Sequence, residues 1–116
     1  MDYDPISDVI DEPLSVDSCV LEELKKFRHA DKLENLPGVD TTDEKARLSK
    51  VLNDLTERLL AGVETHPGKL WVLTEFQAAL ELVEDEDTEG REHFGIEMEF
   101  IMDILGVESS DGLLTA

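Results

Sequence analysis

Glu89, His93 and Glu97 stand four residues apart, so on a helix they form one column of two carboxylates and an imidazole. Such a column could supply ligands to a metal inside a helical bundle, as in di-iron carboxylate proteins. That chemistry needs matching ligands on other helices, yet the other apolar stripes carry Leu, Val and Phe without a Glu-x-x-His pattern. The plainer reading is a solvated helix face, and no metal or other cofactor is expected. His29 falls near the end of a helix, where the dipole favours a cation, and His66 precedes Pro67 in an exposed loop. Cys19 is the only cysteine, which rules out an internal disulfide. Beside Val20 and Leu21 it reads as a small buried hydrophobe, with carboxylates nearby that would not activate a thiol. The nucleophile-elbow, Cys-x-x-Cys, phosphate-loop and Ser-x-x-Lys patterns are absent. Asp85-Glu86-Asp87 does not meet the 12-residue calcium-loop pattern. No catalytic residue is expected, and the chain reads as a protein without enzymatic activity.

Charge is the stronger signal. There are 29 Asp and Glu against 10 Lys and Arg, a formal net charge of −19. The excess is uneven: Met1 to Leu24 holds eight carboxylates and no basic residue, and Leu70 to Ala116 holds thirteen against Arg91 alone. Such a field attracts cationic partners and repels nucleic-acid phosphates and anionic membrane surfaces. It also destabilises the compact chain through self-repulsion, which a basic partner would relieve. The densest stretch, Glu81 to Glu92, places seven carboxylates and one Arg across a helix end, a loop and a helix start. Glu84, Asp85, Glu86, Asp87, Glu89 and Glu92 are therefore the candidate partner-binding residues, with solubility as the plainer use of such a run. Trp71, the only tryptophan, joins them as a candidate anchor, since tryptophan is enriched at interface hot spots as well as in cores.

The elements that must position these groups read as helices. Ser15 or Asp17 can cap a first helix running to about His29 or Lys32, with Val20, Leu21, Leu24 and Phe27 at helical spacing. After Leu36-Pro37-Gly38, Thr41 and Glu44 stand at capping-box spacing before a long helix to about Ala61, with Gly62 as its left-handed stop. A third helix over about 69–83 carries Leu70, Leu73, Phe76, Leu80 and Val83. Thr88 can cap a fourth helix to Leu105 with Phe94, Met98 and Ile101 inward, stopped by Gly106. Gly90 and Gly95 in its first half suggest close packing or fraying. No stretch alternates with period two. The reading is a single all-α domain over 1–116, an antiparallel bundle of about four helices, with 1–14 and 107–116 as less regular arms. Leu55, Phe76, Leu80, Met98 and Ile101 are expected among the most buried residues. No apolar run reaches membrane-span length and the N-terminus is acidic, which points to a cytoplasmic protein.

Glu86-Asp87-Thr88-Glu89, Ile101-Met102-Asp103-Ile104-Leu105-Gly106 and Ser109-Ser110-Asp111-Gly112-Leu113-Leu114 give the stretch from Leu70 to Leu114 its resemblance. It resembles a family of small uncharacterised bacterial proteins, which brings no catalytic residues with it. In size, acidity and helical make-up the chain is similar in type to the immunity proteins that neutralise secreted antibacterial toxins. That similarity implies a basic protein partner, a secreted toxin, with no direct nucleic-acid or membrane contact. The alternatives are a DNA-mimic or regulatory adaptor and, further off, a metal-dependent helical-bundle enzyme.

Overall fold

The computed structural model describes residues 9–30, 42–86 and 88–108, with the side chains of 42–44, 88 and 89 also outside the description. Four helices follow in order: α1 Ser18–His29, α2 Thr42–Gly62, α3 Lys69–Leu82 and α4 Thr88–Leu105. Among the described residues there is no β-strand, only an isolated antiparallel bridge between Pro13 and Gly68. The Thr41–Glu44 capping box and the Ser109–Leu114 turn lie outside the described residues.

The ends of the helices show why they stop where they do. Asp17 caps α1, its Oδ1 accepting the Val20 amide at 3.0 Å. Lys26, Arg28 and His29 fill the last turn of α1, where positive charge complements the dipole. At the end of α4, Gly106 takes φ +75°, its amide reaching Asp103 O at 3.3 Å while Val107 N donates to Met102 O at 2.9 Å. This pair of bonds is the Schellman arrangement, and Val107 beyond it, outside the helix, is buried against the core.

Gly62 does not end α2 in a left-handed conformation. Helical bonding continues past it, Val63 N to Leu59 O at 2.8 Å and His66 N to Gly62 O at 2.9 Å. Its smallness serves another purpose. A Cβ built there would fall 2.5 Å from Trp71 Cζ2 and 2.7 Å from Cη2, so only glycine lets the indole lie against α2.

α2 is the central helix, packing against α1, α3 and α4, while α1 also packs on α4. Leu48, Leu52, Leu55, Leu59 and Val63 line its buried face, meeting Phe76 from α3 and Phe94, Met98 and Ile101 from α4 in one core. α1 gives only one fully buried side chain, Leu24. Its periodic neighbours Val20, Leu21 and Phe27 pack at the core's edge, and Cys19 is exposed, contrary to the expectation of a buried thiol. Position 19 is on the outer side of a helix that buries a narrow stripe.

α3 is rotated relative to the expected stripe. Val72, Leu73, Phe76, Ala79 and Val83 are the buried set, Leu80 is partly buried, and Leu70 is exposed. The small Ala79 is buried in the core and Leu80 packs at its margin. Leu55, Phe76, Met98 and Ile101 are fully buried as expected.

Candidate functional site

The acidic run is divided by the fold. Glu84 and Asp85 are exposed in the turn after α3, and Glu92 is exposed early in α4. Glu86 is turned inward: Arg47 of α2 donates from Nη2 to its Oε1 at 2.9 Å and from Nε to its Oε2 at 3.4 Å. The Glu86 carboxylate, expected on an exposed loop, is thus engaged in an ion pair that ties α2 to the α3–α4 turn. Asp87 and the Glu89 side chain lie outside the described residues.

Glu86 belongs to a wider pattern. Arg28 Nη2 meets Glu57 Oε1 at 3.1 Å and Arg58 Nε meets Glu75 Oε2 at 2.9 Å, each joining α2 to a neighbouring helix. Lys26 pairs with Glu23 and Lys50 with Asp54 along their own helices. Among the described residues, at least five basic side chains are thus committed to ion pairs within the fold. Partly exposed pairs contribute at most about 1 kcal/mol each, so their larger consequence is spatial. The cations concentrate around α2 and leave Glu81, Glu84, Asp85, Glu92, Glu99, Asp103 and Glu108 exposed.

Trp71 lies at the other end of α3, about 16 Å along the helix axis from the turn that carries Glu84. It does not join the acidic run in one site. The indole is half-buried against Gly62 and stacks on His66, ring centroids 5.4 Å apart at 23°. It lines a shallow groove of about 590 Å³ with Asp11, Glu12, Pro13, His66 and Pro67. His66 is exposed, as expected, and has a stacking role that its place before Pro67 did not signal.

The groove exists because the N-terminal arm crosses the start of α3. Gly68 is the N-cap of that helix and offers no side-chain acceptor. The arm supplies what is missing: Glu12 O accepts the Lys69 amide at 2.8 Å, and Asp11 Oδ1 accepts the Leu70 amide at 3.0 Å. Leu14 N returns a bond to Pro67 O at 2.7 Å. A carboxylate from 59 residues away thus caps α3 and complements its positive end. The prolines at 5 and 13 argue against a regular element, and the segment around Pro13 is an irregular strap bonded to the start of α3.

The Glu89–His93–Glu97 column is not joined by metal-ligating residues from other helices among the described residues. His93 and Glu97 are half-buried on α4, and among the described residues no group of three or more His, Cys, Asp or Glu could hold a metal ion. His29 is exposed in the last turn of α1. No described helix is long and apolar enough to cross a membrane.

Two residues outside the expected site stand out. Ile96 is 48% exposed and Phe100 54% exposed, one turn apart on the solvent side of α4. The signal for them was in the chain: both fall out of step with the Phe94–Met98–Ile101 stripe, where a polar side chain is the ordinary choice.

Residues 15–116 match the domain of unknown function DUF4844, and the chain belongs to that family. The match takes in all four helices and begins just after the strap that caps α3, reaching well beyond Leu70–Leu114. No curated protein and no solved structure matches the chain.

Proposed function

We propose that this member of the DUF4844 family is a non-enzymatic acidic binding protein that captures a cationic protein, most concretely as the immunity protein of an antibacterial toxin. The observation that carries the reading is the sorting of charge. A net charge of −19 is accompanied by ion pairs that engage at least five cations among the described residues, while exposed carboxylates occupy the α3–α4 turn and α4. A toxin that acts on nucleic acid carries a basic substrate groove, and an anionic surface fills such a groove as the phosphates would.

The test has two steps. The tagged protein is used to isolate its partner, and association is then measured against ionic strength for the wild type and for Glu84→Lys/Asp85→Lys/Glu92→Lys. Glu86 is left intact because its reversal would break the Arg47 pair. The expected result is association slowed about tenfold or more in the variant and at physiological salt, with smaller changes in dissociation. Association indifferent to both would remove the electrostatic reading and leave the carboxylates as a solubility device.

A further inference from the structure

α4 presents two faces. Phe94, Met98, Ile101 and Leu105 are buried against the bundle, and Glu92, Ile96, Glu99, Phe100 and Asp103 are exposed. At roughly 100° per residue these five fall within a stripe about 100° wide, centred opposite the buried one. The stripe is organised. Glu92, Glu99 and Asp103 form a carboxylate row, and Ile96 and Phe100 form an apolar row beside it, continued by the partly buried Ile104. Single exposed apolar side chains are ordinary on a protein surface, and Ile10, Leu70 and Leu82 are exposed elsewhere in this chain. Ile96 and Phe100 lie together, one turn apart on one helix face beside a carboxylate row.

We infer that this outward face of α4 is the docking surface for a basic amphipathic helix of the partner protein, an assignment that rests on the capture reading above. The occupant follows from complementarity. An apolar ridge on the partner covers Ile96 and Phe100, and Lys or Arg beside that ridge meets Glu92, Glu99 and Asp103. A second copy of this chain fits poorly, because a two-fold axis on α4 sets each carboxylate row against its own image between molecules of charge −19. A nucleic acid or an anionic lipid surface is repelled by the same row. The stripe runs about 17 Å from Glu92 to Asp103, the length over which three turns of a partner helix make contact. The apolar row supplies duration to the complex and the carboxylates supply speed and orientation.

The assignment is tested with the full chain and two synthetic probes. One is an amphipathic Leu/Lys helix of about 18 residues, long enough to be helical when bound. The other is an oligolysine of equal charge without an apolar face. Amide shifts are mapped on the wild type, and affinities are compared with Ile96→Ser/Phe100→Ser, which leaves net charge unchanged. The amphipathic helix should shift resonances of Glu92 to Asp103 and bind about tenfold tighter than oligolysine. The double variant should lose that advantage and keep its affinity for oligolysine. Shifts that map elsewhere on the wild type, or an unaltered advantage in the variant, overturn the α4 assignment and leave charge-driven capture standing. If neither probe binds at low ionic strength, the capture reading itself fails. A wild-type dimer abolished in the double variant would give the face to a second copy and overturn the assignment. The wild-type map decides the matter even if the variant folds poorly.

Discussion

Gly62 and Gly95 should respond to the same substitution with opposite signs. Both are helical, and an added methyl raises helix propensity by up to about 1 kcal/mol in a helix interior. At Gly95 nothing lies within 4 Å of the new Cβ, so the gain is free of cost. Gly95→Ala should stabilise the protein by about 0.5–1 kcal/mol, raising Tm by about 2–4 °C for a domain of this size. At Gly62 the new Cβ would fall 2.5 Å and 2.7 Å from two indole carbons of Trp71. Real carbons do not approach so closely, so the ring must swing away or the end of α2 must shift. The ring is not free to swing, since His66 stacks on it at 5.4 Å. Overpacking of this kind costs about 1–3 kcal/mol, and the last residue of a helix returns only a fraction of the propensity gain. Gly62→Ala should therefore lose about 1 kcal/mol or more. Denaturant unfolding measures both variants, and Trp71, as the only tryptophan, reports its own displacement by an emission shift in Gly62→Ala alone. A Gly62→Ala protein as stable as wild type with unmoved emission would refute the packing argument. A destabilised Gly95→Ala would show that its flank is covered.

Asp11→Ala should cost about 0.5–2 kcal/mol by uncapping α3, and Asp11→Asn should recover much of it because an acceptor remains, both read by chemical denaturation. Leu24→Ala should cost about 2–5 kcal/mol and loosen α1 first, seen as amide exchange rising over Ser18–His29 before the rest of the fold. In α3, Phe76→Ala should cost about 3–5 kcal/mol, whereas Leu80→Ala should cost under about 2, since Leu80 keeps part of its side chain in water. Equal losses at the two positions would restore the stripe read from spacing alone.

Helix number, the start of α1 and the end of α4 were legible because their causes are local. Asp17 lies next to the amide it caps, and Gly106 takes the φ that ends α4 whatever packs around it. The inward residues of α4 were legible for a similar reason, since Phe94, Met98 and Ile101 recur at helical spacing in a run with several carboxylates. The exact facing of α3 was not. Its sequence is apolar on several sides, so periodicity admits more than one stripe, and packing against the bundle decides that Ala79 rather than Leu80 is fully buried.

Alone, the sequence determined an all-α, heavily anionic chain, because backbone propensity, caps and net charge are properties of residues and their near neighbours. Which carboxylates remain exposed was decided only by tertiary structure. Glu84 and Glu86 are two residues apart and alike in composition, yet one is exposed and the other is held by Arg47, 39 residues earlier. The strap that caps α3 and the indole that needs Gly62 are likewise long-range pairings. Spacing along a chain carries no information on such contacts, since they form only when loop closure brings distant segments together, at an entropic cost that packing must offset.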